Sequence, residues 1–109
     1  MPFVNTHKTA RISPLKVRPV AALIQGKPID QALAILQMSK RRGAMFLAQS
    51  LKAAIANADQ AEADVRRLVV TEARVDSGAT IKRWQPKDRG RAHPIKKRTS
   101  HITVAVDVK

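Results

Sequence analysis

Cysteine is absent from the 109 residues, so the chain has neither a disulfide framework nor a thiolate metal site and makes no claim on an oxidising compartment. Aromatic residues make up only 3% against 44% hydrophobic residues. The core must therefore come from Ala, Val, Leu and Ile, which pack tightly but in thin layers. No apolar run approaches the roughly 20 residues of a membrane span; Ala44 to Ala58, one of the least charged stretches, still carries Gln49, Ser50, Lys52 and Asn57. The first ten residues lack the apolar block of a signal peptide, and an intracellular protein is the expectation. Acids are scarce as well, with 8 Asp and Glu against 21 Lys and Arg, a net charge of +13. Such an imbalance excludes most ordinary enzymes and points to a polyanionic partner.

The length suits one domain, residues 1–109, and there is no internal repeat, low-complexity tract or Gly/Ser linker to divide it. Charge is unevenly spread along it. Residues 1–50 carry +7, residues 51–78 carry −1, residues 79–98 carry +7 and the last eleven are neutral. The twenty residues 79–98 are thus a basic insertion within the domain.

Ser13-Pro14 reads as an N-cap followed by proline at the first helical position, and Gly26 as a left-handed stop. Val17, Val20, Ala21 and Ile24 give the enclosed helix, about 14–25, its buried stripe, with a bend predicted at Pro19. Asp30 is predicted to cap a short helix over 31–37, and Ser39 a long one over 40–59, whose Ala44, Leu47, Ala48, Leu51, Ile55 and Ala58 keep helical spacing. Lys40, Arg41 and Arg42 fall in its first turn, where the helix dipole disfavours cations. An external phosphate would suit that end, and a solvated basic turn is the plainer alternative. Leu68 to Val75 is rich in β-formers, and Ile102, Val104, Val106 and Val108 alternate with His101, Thr103, Ala105 and Asp107, the pattern of a strand with one buried face. Residues 3–12 supply a third strand. The predicted fold class is α+β: three helices packed on a small antiparallel sheet of about three strands, with a long protruding basic β-hairpin.

That hairpin is the insertion, residues 79–98. About eleven residues from Asp76 to Lys87 span about 35 Å at roughly 3.3 Å each, too far to stay within the body. Neither side of the ribbon is apolar, and an isolated ribbon is marginal in water. Nucleic acid closing round both sides would order it, while a solvated basic loop is the alternative. Trp84 among Lys82, Arg83, Gln85 and Lys87 suits stacking or wedging on RNA better than a core position. His93 and His101 have no carboxylate at metal-ligand spacing, and no phosphate loop, nucleophile elbow or carboxylate pair is found. No metal, cofactor or catalytic residue is predicted.

Several motifs, in order, carry a resemblance: Ser13-Pro14-Leu15-Lys16-Val17-Arg18, Ile24-Gln25-Gly26-Lys27, Ala54-Ile55-Ala56-Asn57-Ala58, Val75-Asp76-Ser77-Gly78, Lys82-Arg83, Pro86 with Gly90-Arg91-Ala92, and Lys97-Arg98-Thr99-Ser100-His101-Ile102-Thr103-Val104. Nearly the whole chain resembles the L twenty-two family of the bacterial large ribosomal subunit. The resemblance implies a non-enzymatic structural constituent that binds large-subunit ribosomal RNA and assists early assembly. Its body would lie near the exit of the peptide tunnel, and its hairpin would line that tunnel. Implied partners are the RNA, neighbouring ribosomal proteins including ribosomal protein four near the hairpin tip, and the nascent polypeptide, with no membrane and no homo-oligomer. The location implied is the ribosome, cytoplasmic or organellar. By position Lys82, Arg83, Arg91, Lys97, Arg98, Ser100 and His101 would contact RNA. The predicted interface adds Arg11, Lys16, Arg18, Lys40, Arg41, Trp84, Lys87, Arg89, His93 and Lys96, and Lys87, Asp88, Arg89, Gly90 and Arg91 would form the tunnel-lining tip. Pro19, Ala79, Trp84, Asp88 and His93-Pro94 depart from the family pattern. The alternative is a histone-like DNA-architectural protein whose β-arm wedges Pro86 between base steps, though such proteins dimerise through a large apolar interface.

Overall fold

The structure is a computed structural model that describes residues 2–86 and 92–108, giving for 83–86 and 92–96 the backbone alone. In chain order it forms β1 (Phe3–Ala10), α1 (Pro14–Ile24), α2 (Ile29–Met38), α3 (Arg42–Gln60), a 3-10 turn (Val65–Arg67), β2 (Leu68–Pro86) and β3 (Ala92–Val108). The strands make one antiparallel sheet in the order β1-β3-β2, and the helices pack on one of its faces. The α+β class is as predicted. The third predicted strand is β1, which pairs with β3 from Phe3 opposite Val106 to Ala10 opposite Ser100.

α1 starts at Pro14, where the missing N–H costs nothing, and runs on through Pro19 to Ile24. Gly26 follows with φ +81°, a backbone that suits glycine alone. That turn also docks: Gly26 N–H donates to Val70 O at 2.8 Å and Val70 N–H to Lys27 O at 2.9 Å, which fastens the end of α1 to β2.

Two helix starts differ from the sequence-based expectation. α2 begins at Ile29, because Pro28 holds the cap position and its carbonyl accepts from Ala32 N–H, closing the first turn two residues early. Asp30 therefore lies within the first turn, where its charge suits the helix dipole. Ser39 ends α2 instead of capping α3: its N–H donates to Leu36 O, and its hydroxyl accepts from Arg41 N–H at 3.3 Å. α3 begins at Arg42.

The core lies between helices and sheet. Ile24, Leu47, Leu51, Leu68 and Ile102 are its largest fully buried side chains, joined by Val17, Val20, Val70, Val104 and Val106, while Ile55 packs at its margin. Alternation along β3 is as expected on the helix side, but on the open side Thr103 and Ala105 are only 8% and 4% exposed. β3 is the central strand, so its small outward side chains are screened by both neighbours. Thr6 Oγ1 lies 3.4 Å from Thr103 Oγ1, and Thr71 Oγ1 donates to Ala105 O at 3.1 Å.

β2 and β3 continue out of the body as one ladder. Body pairing ends at Ser77 opposite Ser100, a bulge follows, and pairing resumes from Thr80 opposite Arg98 to Pro86 opposite Ala92. Thr99 pins this bulge, its hydroxyl donating to Ala79 O at 2.6 Å. Bulges increase local twist, which here re-aims the ribbon as it leaves the sheet.

Candidate nucleic-acid interface

Where the ribbon leaves the body, three segments far apart in sequence meet round a cleft of about 790 Å³. The turn from β1 into α1 contributes Arg11, Ile12, Ser13 and Lys16. The start of α3 contributes Arg41, Arg42 and Gly43. The root of the hairpin contributes Ile81, Lys97, Arg98 and Thr99. Among the described residues, six lining side chains are cations and none is an acid.

Packing explains why they meet. A Cβ on Gly43 would lie 3.2 Å from Val17 Cα and 3.3 Å from Lys16 O, so the first turn of α3 rests almost directly on the backbone of α1. Ser100 sets the opposite wall: it is fully buried, and its hydroxyl donates to Ile12 O at 2.6 Å, tying β3 to the turn that carries Arg11 and Ser13. Behind Arg42 the Phe46 ring lies 5.7 Å from the guanidinium carbon and meets the His7 ring edge-on at 5.6 Å. Arg42 is thereby propped from behind.

Neither helix that opens onto the cleft neutralises its own first turn. α1 and α3 have no acidic residue there and no side-chain capping bond, at Ser13 or at Arg41. Unsatisfied N–H groups and the positive dipole ends add to the field of the six cations.

Of the residues predicted from sequence, the cleft gathers Arg11, Lys16, Arg41, Lys97 and Arg98. Arg42 joins them, although only its neighbours Lys40 and Arg41 stand in the interface set deduced from sequence. Lys40 is exposed just before α3 and does not line the cleft. Lys82 lines a smaller adjoining hollow of about 350 Å³ with Pro14, Ser77, Gly78, Thr80, Arg98 and Thr99. Arg18 is turned to a structural task, its Nε and Nη2 each donating to Val75 O at 3.3 Å. Ser100 is enclosed in the bond to Ile12. His101 is half-buried, and its Nδ1 accepts from Thr9 N–H at 3.0 Å, steadying a residue whose φ is +58°. Arg83, Trp84, His93 and Lys96 lie on the paired ribbon, with side chains outside those described, and Lys87, Asp88, Arg89, Gly90 and Arg91 lie outside the described residues. Gly43 was missed from sequence; its position directly after three cations was the available signal.

Fold and charge together define a class, the small α+β proteins that carry a basic β-ribbon. Residues 5–107 match the family described as ribosomal protein L22p/L17e. Three relatives are each named large ribosomal subunit protein uL22. The one from Maridesulfovibrio salexigens is 52% identical over 100 residues, 91% of either chain. That from Ligilactobacillus salivarius is 49% identical over 105 residues, 95% of this chain and 91% of its own. That from a Hydrogenobaculum species is 43% identical over 100 residues, 92% of this chain and 83% of its own. The chain belongs to this ribosomal protein family, a structural constituent of the large subunit. The DNA-architectural alternative falls with that membership.

Proposed function

We propose that this chain binds the RNA of the large subunit through the cleft and the basic ribbon, that it assists early assembly, and that its hairpin lines the tunnel taken by the nascent polypeptide. One observation carries the RNA-binding part: six cations converge at the ribbon root with no acid among the described lining residues. Like charges held together in this way repel one another unless a polyanion sits between them. Tunnel lining by Lys87 to Arg91 and proximity to ribosomal protein four follow from the family resemblance, as does a place on cytoplasmic ribosomes.

Division of labour along the ribbon gives the test. A tagged chain is followed through sucrose gradients of a cell lysate and is expected with the large subunit at near-stoichiometric level. Neutralising Lys96, Lys97 and Arg98 together should reduce that incorporation, since each lost phosphate contact weakens binding. Deleting Arg89-Gly90-Arg91 should leave incorporation intact while changing sensitivity to tunnel-binding inhibitors. The reverse pattern would make the tip the anchor and overturn this assignment.

A further inference from the structure

Building on that RNA-binding reading, we propose that the cleft at the ribbon root is a clamp for the backbone of a single RNA strand, one or two nucleotides at a time and whatever their bases. Two features of the cleft lead to this. Its volume of about 790 Å³ falls in the range of about 300–1,000 Å³ that encloses small molecules. A duplex presents a convex surface and meets protein charges from one side. Here the cations stand on three walls, Arg11 and Lys16 on one, Arg41 and Arg42 on the second, Lys97 and Arg98 on the third. A site walled in this way fits a strand that enters it, not a cylinder that lies across it.

The lining also says what is read. Among the described residues no aromatic lines the cleft, and so none of them offers a platform for base stacking; Phe46 stands behind Arg42 and supports it. The apolar lining is Ile12 and Ile81, which suits a sugar edge, and the Thr99 hydroxyl is already given to Ala79 O. What the described lining leaves for the ligand is charge, guanidinium forks and the Ser13 hydroxyl, the chemistry of phosphate. Contacts of that kind position a strand without selecting its sequence.

The test uses the isotopically labelled full chain and three probes at one salt concentration: hexauridylate, hexaadenylate and a 12-base-pair RNA duplex. Both single strands should shift the amide resonances of Lys16, Arg42, Gly43 and Arg98, with dissociation constants within about twofold of each other, because phosphate contacts are indifferent to base. The duplex should leave Gly43 and Lys16 unmoved. Arg41→Gln with Arg42→Gln should weaken single-strand binding about tenfold, the scale of losing a charge-assisted bond at a partly exposed site. Arg98→Gln, on another wall, provides a second variant should the pair disturb α3. A duplex that shifts the same four amides as strongly as the single strands overturns the clamp and leaves RNA binding standing. Single strands that shift only ribbon residues do the same. Failure of all three probes to bind at low salt overturns the clamp and the RNA-binding reading together.

Discussion

Two buried serines show how differently the same side chain can act in this molecule. The Ser100 hydroxyl is spent on Ile12 O, across the boundary between sheet and cleft. Ser100→Ala strips a buried carbonyl of that partner and should cost about 1–3 kcal/mol, read from the midpoint of urea unfolding. The Ser50 hydroxyl, also buried, has no hydrogen-bond partner. Ser50→Ala removes a desolvated hydroxyl and supplies a better helix former, so stability should be unchanged or rise by up to about 1 kcal/mol. Equal losses at the two sites would mean that Ser50 is bonded after all. Thr9 is a third local case. A β-branched residue at φ +58° is sterically costly, and the bond from its N–H to His101 Nδ1 helps hold it there. His101 therefore shapes the bulge in β1.

Between elements, α3 approaches the backbone of α1 closely at Gly43. Gly43→Ala sets a gain in helix propensity, at most about 1 kcal/mol, against a squeeze on the backbone of Val17 and Lys16, and should be near neutral. Gly43→Val cannot be accommodated by that backbone and should destabilise by about 1–3 kcal/mol. Because it pushes Arg41 and Arg42 away from Lys16, it should also weaken RNA binding at temperatures where the fold survives, which thermal melting and a binding titration measure together. The open face of the sheet has the opposite electrical character. There Arg74 lies between two carboxylates on β2, Nη1 at 3.3 Å from Glu72 and Nε at 3.0 Å from Asp76. All three side chains are about half exposed, so each pair adds only about 0–1 kcal/mol. Their effect is on polarity, since Arg74 is already neutralised there.

As a whole the molecule measures 63 × 24 × 16 Å with a radius of gyration of 16.8 Å, against about 13 Å for a compact domain of this length. The difference is the ribbon. Its charge, with that of the cleft, makes binding a matter of counterion release. If five to seven phosphates are neutralised, affinity for large-subunit RNA should fall about a thousandfold between 50 and 200 mM salt. Filter binding across that range checks it, and a flat response would contradict an electrostatic interface. The ladder of carboxylates on the sheet predicts the orientation of the body: α1, α3 and the ribbon root face RNA, and the open sheet faces away from it.

Sequence by itself determined whatever depends on neighbouring residues. Pro14 and Gly26 bracket α1 because each residue's own φ preference sets a start or a stop, and the alternation of β3 and the charge of 79–98 are likewise local properties. The motifs that identify the family are local too. Where two local signals competed, as with Pro28 against Asp30 and Arg41 against Ser39, the residue whose backbone was engaged decided the helix start, and that engagement is not written in residue type. The cleft was decided by tertiary structure alone. Arg11 and Lys16, Arg41 and Arg42, and Lys97 and Arg98 come from three distant stretches, and they face one another only because Gly43 lets α3 rest on α1 and Ser100 ties β3 to Ile12. The same contacts turned Ser100 inward and drew the guanidinium of the exposed Arg18 onto Val75 O, since a hydroxyl or guanidinium beside a carbonyl is held there by the cost of leaving that carbonyl unbonded.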